Sequence, residues 1–76
     1  MKIFITGATG YIGNRLTYVL ANNNNDVHIL VRDLKSKNIP VSKNIKVFQG
    51  DLCDFNSIYQ AMKGCEYVYH AAAFTD

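Results

Sequence analysis

The chain has 76 residues, enough for one small domain, and a domain of that size buries only about 60% of the surface its unfolded form exposes. Its 49% apolar and 18% charged content is that of an ordinary globular protein and excludes disordered, collagen-like and disulfide-scaffold classes. Eight Lys and Arg against six Asp and Glu are scattered along the chain; this is too sparse for a nucleic-acid surface, though a small anionic ligand fits the balance.

Met1 and Lys2 run straight into "KIFIT" (2–6), a β-branched and aromatic run closed by Gly7 that predicts a buried strand. There is no secretion-signal pattern, and no stretch approaches the roughly 20 apolar residues of a membrane span. A cytoplasmic protein without membrane contact is expected. Next comes "TGATGYIG" (6–13), with glycines at 7, 10 and 13. A strand-to-helix turn that meets a pyrophosphate must turn sharply, bring bare backbone to the ligand and let the helix pack close to the strand, and Gly7, Gly10 and Gly13 suit those tasks in that order. The helix that follows offers free N–H groups and the positive end of its dipole to an anion. Strand, glycine loop and helix together predict dinucleotide binding.

Ile12, Leu16, Val19 and Leu20 fall at i, i+4, i+7 and i+8 and predict one apolar stripe on a helix of about three turns. Asn22 to Asn25 favour a turn over more helix. "DVHILVRD" (26–33) predicts a second strand, and residues 34–44 a polar crossover containing Pro40. At the end of that strand Arg32 and Asp33 compete, since an Arg there accommodates the 2′-phosphate of NADP and an acidic residue the ribose hydroxyl of NAD.

"IKVFQGD" (45–51) predicts a third strand ending at Gly50. Phe55, Ile58, Tyr59 and Met62 predict a second helical stripe within 54–63, stopped by Gly64. Cys53 and Cys65 lack metal-ligand spacing and read as reduced, inert thiols. "EYVYHAAA" (66–73) predicts a fourth strand, in which His70 reads as a packed residue bonded to backbone. Alternating strands and helices imply parallel pairing with right-handed crossovers. In the order 3-2-1-4, the first two connections share one face and the helix at 54–63 takes the other. The expected fold is α/β, the N-terminal half of a Rossmann-type doubly wound sheet. Its faces are half-covered and strand 4 is an open edge prone to self-association.

Three motifs in order, "TGATGYIG", "GDLCD" (50–54) and "VYHAAA" (68–73), resemble the N-terminal segment of the extended short-chain dehydrogenase/reductases, the NAD-dependent epimerase/dehydratase family. The likeness covers essentially the whole chain. It implies that Gly7, Gly10 and Gly13, with Tyr11 and Ile12 at the helix start, hold the pyrophosphate. By the same resemblance Asp51, with Leu52 beside it, contacts the adenine, and Ala71, Ala72 and Ala73 line the cofactor near its nicotinamide-side ribose. Capping of the second helix is the structural alternative for Asp51. The family's ribose-facing position corresponds to Arg32, with Lys35 near enough in sequence to add charge, so the expected cofactor is NADP, with NAD as the alternative through Asp33.

The family's proton-transfer pair is Tyr-x-x-x-Lys on the helix after strand 4. "YQAMK" places Tyr59 and Lys63 at that spacing but between strands 3 and 4, so both read as structural. Thr75 follows strand 4 and does not match the family's catalytic Ser or Thr. No catalytic residue is assigned, and the chain alone is expected to be inactive. The resemblance implies the cofactor-binding N-terminal part of an oxidoreductase or epimerase, homodimeric as a whole, acting on a sugar nucleotide or related hydroxy or carbonyl substrate. A non-catalytic nucleotide-sensing protein of the same fold and a gene remnant are the alternatives.

Overall fold

In the computed structural model, which describes residues 1–71, the alternation along strand β1 (Lys2–Thr6) sets the layers. Successive strand side chains point to opposite faces, so Ile3 and Ile5 enter one apolar cluster and Phe4 another. The chain continues through α1 (Tyr11–Asn22), β2 (Asp26–Val31), β3 (Ile45–Gln49), α2 (Phe55–Met62) and β4 (Tyr67–His70). The strands form one sheet in the order β3-β2-β1-β4, and every pair is parallel, as the alternation of elements predicts.

On the first face Ile3, Ile5, Val27, Ile29 and Val31 pack with Ala21, and Ile39 from the crossover joins them. The β2-to-β3 connection therefore lies on the same side as α1. On the second face Phe4 and Leu30 pack under Ala61 of α2, with Phe48, Ile58 and Cys65 at the margin. The half-covered sandwich of the sequence reading is present. All four residues of β4 are exposed.

Both helices sit on their small residues, which corrects the expected stripes. In α1 the buried positions are Gly13, Thr17 and Ala21, with Leu16 and Leu20 half-buried against the first cluster. Ile12 and Val19 remain 51% and 55% exposed. The spacing of large side chains marks the flank of the contact, because close packing of the helix on the sheet selects residues with little side chain. The Thr17 hydroxyl tolerates burial because it donates to the Gly13 carbonyl, 2.7 Å away. In α2 Ala61 is fully buried and Ile58 half-buried, whereas Phe55 (77%) and Tyr59 (53%) lie exposed, stacked 6.3 Å apart. Met62 is also exposed.

The asparagine turn is as expected. Asn24 takes a left-handed conformation at φ 65°, and the Asn23 and Asn25 side-chain amides donate to the carbonyls of Val19 and Leu20 at the helix end, where the Leu20 carbonyl also accepts from the Asn23 and Asn25 backbone amides. Two other expectations need correction. β4 ends at His70, and Ala71 no longer belongs to the strand; Ala72 and Ala73 lie outside the described residues. His70 bonds no backbone group among the described residues; its Nδ1 lies 2.7 Å from the buried Thr6 hydroxyl, and its ring is exposed.

This packing separates two phenylalanines. Phe4→Ala should cost about 3–5 kcal/mol through the cavity it leaves, whereas Phe55→Ala should stay within about 0.5 kcal/mol as a surface change. Urea unfolding of both variants followed by circular dichroism checks this; equal losses would restore the stripe to the core.

Candidate functional site

The loops at the C-terminal ends of β1, β2 and β3 converge on an open cleft of about 560 Å³. β1 contributes Thr6, Gly7 and Thr9; β2 contributes Arg32, Asp33 and Ser36; β3 contributes Gly50, Asp51, Leu52 and Cys53. A parallel sheet directs all its strand ends the same way, so this edge is where loops from different strands meet.

Two glycines shape the first loop. Gly7 has φ 78°, a region where an L side chain is strained. A Cβ on Gly13 would run into the Gly7 carbonyl and stand 3.2 Å from the Ala71 Cβ. The start of α1 is thereby pressed onto the end of β1, with Ala71 behind it. Gly10 stands at the N-cap without a side-chain cap, and the first turn holds no acidic residue. The amides of Tyr11, Ile12 and Gly13 precede the first helical hydrogen bond, which the Asn14 amide makes to Gly10. The other helix differs: Asp54 caps α2, accepting from the Asn56 amide and the Ser57 hydroxyl, each at 3.0 Å. Of the two helix starts, that of α1, which follows the cleft-lining residues Gly7 and Thr9, is open to an anion.

The structure brings Gly7, Arg32, Asp51 and Leu52 to the cleft. Gly10 and Tyr11 line an adjoining hollow with Arg15, whose guanidinium lies 5.8 Å from the Tyr11 ring centre. Ile12 is exposed in the first helical turn, and Ala71 is buried against Gly13. Lys35 is exposed and does not line the cleft. Ala72, Ala73 and Thr75 lie outside the described residues. Since Asp54 is the cap, the Asp51 carboxylate does not cap α2; one of its oxygens accepts from the Cys53 amide at 3.0 Å.

Asp33 and Arg32 also diverge. The Asp33 carboxylate accepts from the Lys35 amide at 2.9 Å and its carbonyl from the Ser36 amide at 3.0 Å, closing a turn on itself. The Arg32 side chain stays exposed at the cleft. This turn also carries Ser36 to the cleft, a residue the sequence reading missed. Its signal was local, an Asp able to organise the next residues through its side chain. Thr9 and Cys53 were likewise in plain view inside the two motifs.

Tyr59 and Lys63 lie elsewhere. They line a shallow apolar groove on α2 with Phe55, Ile58 and Met62, and Lys63 has already left helical conformation as the C-cap. Among the described residues, no three His, Cys, Asp or Glu side chains cluster to hold a metal ion, and no helix is long and apolar enough to cross a membrane. Both cysteines are free thiols. Burial pushes the Cys65 thiol above its ordinary range, with the Lys2 ammonium working the other way.

Comparison with known proteins agrees with this geometry. The model of the family described as NAD dependent epimerase/dehydratase matches residues 3–76. A UDP-glucose 4-epimerase of Rickettsia bellii is 38% identical over 80 residues, covering 93% of this chain and 24% of that protein. Short-chain dehydrogenase/reductase family 42E member 1 of Macaca fascicularis is 34% identical over 74 residues, covering 95% of this chain and 18% of the relative. Among solved structures, the epimerase Mth375 of Methanothermobacter thermautotrophicus superposes with a TM-score of 0.80 at 33% identity, over 91% of this chain and 21% of that one. The chain thus spans about a fifth to a quarter of the length of these proteins.

The two thiols should differ in reactivity, because the thiolate is the nucleophile. Cys53 is exposed at the cleft, whereas Cys65 is half-buried and its burial disfavours the thiolate. Iodoacetamide at pH 8 followed by peptide mass spectrometry should find Cys53 alkylated several-fold faster; the reverse order would contradict the placement of both.

Proposed function

This chain belongs to the NAD dependent epimerase/dehydratase family, and on that premise we propose that it forms the pyrophosphate- and adenosine-holding part of an NADP-preferring reductase or epimerase. The substrate of the whole enzyme would be a sugar nucleotide or a related hydroxy or carbonyl compound. The observation that carries the reading is the uncapped start of α1 beside the cleft, pressed against β1 through Gly13 and Gly7.

The residues present fit such a cofactor. The free amides at the start of α1 would accept the pyrophosphate, with Gly10 leaving room for its approach. Asp51 and Leu52 would border the adenine. Arg32 would meet the 2′-phosphate, since a guanidinium can grip phosphate with two parallel hydrogen bonds. The Asp33 carboxylate, held in its own turn by the Lys35 amide, competes less for the ribose, and the Ser36 hydroxyl adds a neutral donor beside Arg32. This supports NADP over NAD. When bound, a nicotinamide dinucleotide supplies the hydride acceptor or donor. The described residues of the cleft include neither Tyr nor Lys, so this part of the chain would bind and orient while proton transfer falls to other residues of a longer protein.

Isothermal titration of NADP and NAD into the chain tests this. Arg32→Ala should weaken NADP by about ten- to a hundredfold, the loss of a charge-assisted phosphate contact, and leave NAD nearly unchanged. Gly13→Ala should abolish binding of both. Equal affinities for the two cofactors, unmoved by Arg32→Ala, would overturn the assignment, and NADP should slow alkylation of Cys53 in the wild-type chain alone.

A further inference from the structure

The opposite end of the sheet holds a second hollow, of about 400 Å³, whose lining includes Lys2, Asp26, His28, Lys43 and Lys46. Lys2 and Asp26 open β1 and β2 as register partners, and Lys46 lies beside His28 in the β2–β3 ladder. This hollow is therefore at the strand starts, a full strand length from the Gly7 loop and independent of the dinucleotide reading. Three lysines and one aspartate belong to its lining, with the Glu66 carboxylate nearby but taken up by the Lys2 amide, a balance that favours an anion.

His28 is the distinguishing feature. Its residue is 8% exposed, and its Nδ1 lies 2.9 Å from the Ala61 carbonyl. A carbonyl only accepts, so Nδ1 carries the proton, and in the neutral ring Nε2 is left as a bare acceptor. The Cys65 sulfur, 3.5 Å from Nδ1, donates to that same carbonyl at 3.6 Å, so the Nδ1 edge is fully occupied. Nε2 has no partner among the described residues. Yet no buried side-chain nitrogen or oxygen there is left unpaired, so solvent must reach Nε2. The hollow is where it does so, because the other edge of the ring is turned to α2. Phe48, 5.1 Å from the His28 ring, sits under the Lys46 ammonium at 5.4 Å and keeps that charge on the same face.

We propose that this hollow binds a protonated oxyanion, hydrogen phosphate being the simplest, with the lysines meeting its charged oxygens and the imidazole Nε2 accepting its O–H. The acceptors decide the chemistry. An oxyanion without a proton offers only lone pairs to Nε2 and to the Asp26 carboxylate and is repelled by both. One that keeps an O–H gives Nε2 a donor in place of the water that the anion displaces. Sulfate, and at pH 8 a methyl phosphate dianion, lack the hydrogen that inorganic hydrogen phosphate retains.

The test is titration of the chain at pH 8 and constant ionic strength with inorganic phosphate, sulfate or methyl phosphate, followed by long-range proton–nitrogen correlation of the His28 ring. Phosphate should move the Nε2 resonance and bind about tenfold tighter than either control, the scale of one charge-assisted hydrogen bond. Asp26→Asn should narrow that preference by admitting sulfate. Lys46→Gln and Lys43→Gln, both at exposed positions, should each weaken phosphate several-fold with the amide spectrum otherwise unchanged. Tighter binding of methyl phosphate would identify a phosphate ester as the ligand and overturn the O–H argument. Equal affinity for phosphate and sulfate, an unmoved Nε2 resonance, or a proton on Nε2 in the free chain would also overturn the proposal.

Discussion

The contact between Gly13 and the Gly7 carbonyl governs more of this structure than any other. A side chain at position 13 has nowhere to go, so the helix axis can approach the strand only because that side chain is absent. Once α1 is drawn in at its first turn, Thr17 and Ala21, one and two turns on, are the residues that meet the sheet. The same closeness leaves the start of the helix uncapped, with Gly10 and Tyr11 in the hollow that adjoins the cleft. A bulkier helix seat would tilt that end away, and the loops from β2 and β3 would lose the element they converge upon.

The sheet is a divider with different economy on its two faces. One carries a continuous aliphatic layer from Ile3, Ile5, Val27, Ile29 and Val31 under α1 and the crossover; the other has Phe4 and Leu30 beneath a helix of only eight residues. What neither face covers is apolar too: Ile12 and Val19 on α1, Phe55 and Tyr59 on α2, and Tyr67, Val68 and Tyr69 on β4 are all exposed. Apolar patches and an unpaired edge of this kind are places where further protein packs, which accords with relatives four to five times longer than this chain.

The two ends of the strands have distinct electrostatics for reasons that lie in the backbone. At the C-terminal ends, open helix amides and Arg32 supply donors, while the Asp33 and Asp51 carboxylates each accept from a neighbouring backbone amide. At the N-terminal ends no helix starts among the described residues, so positive charge comes from lysine side chains, and His28 and Asp26 add acceptors. The phosphates proposed for the first end need carry no proton, whereas the oxyanion proposed for the second is selected for having it.

Much of the fold was legible in the amino-acid sequence because strand pattern and turn chemistry are local. β-branched runs bounded by turn residues located the four strands, alternation with helices implied parallel pairing, and right-handed crossovers in the Rossmann order 3-2-1-4 assigned the connections to their faces. "TGATGYIG", "GDLCD" and "VYHAAA" in order carried the resemblance to the family. Which side of each helix is buried was not legible. Periodicity of large apolar residues tells that a helix has a face, but the choice between that face and one of Gly, Thr and Ala depends on how near the sheet can come, a distance set by Gly7 and Gly13 together. Likewise the family pattern favoured Arg32 over its neighbour Asp33, but only the turn to Ser36 shows the carboxylate folded onto its own backbone. His28 read as one more residue in a buried strand. Only the packing of α2 brought the Ala61 carbonyl to its Nδ1, and that contact, made across 33 residues of chain, decides which nitrogen is left to face solvent.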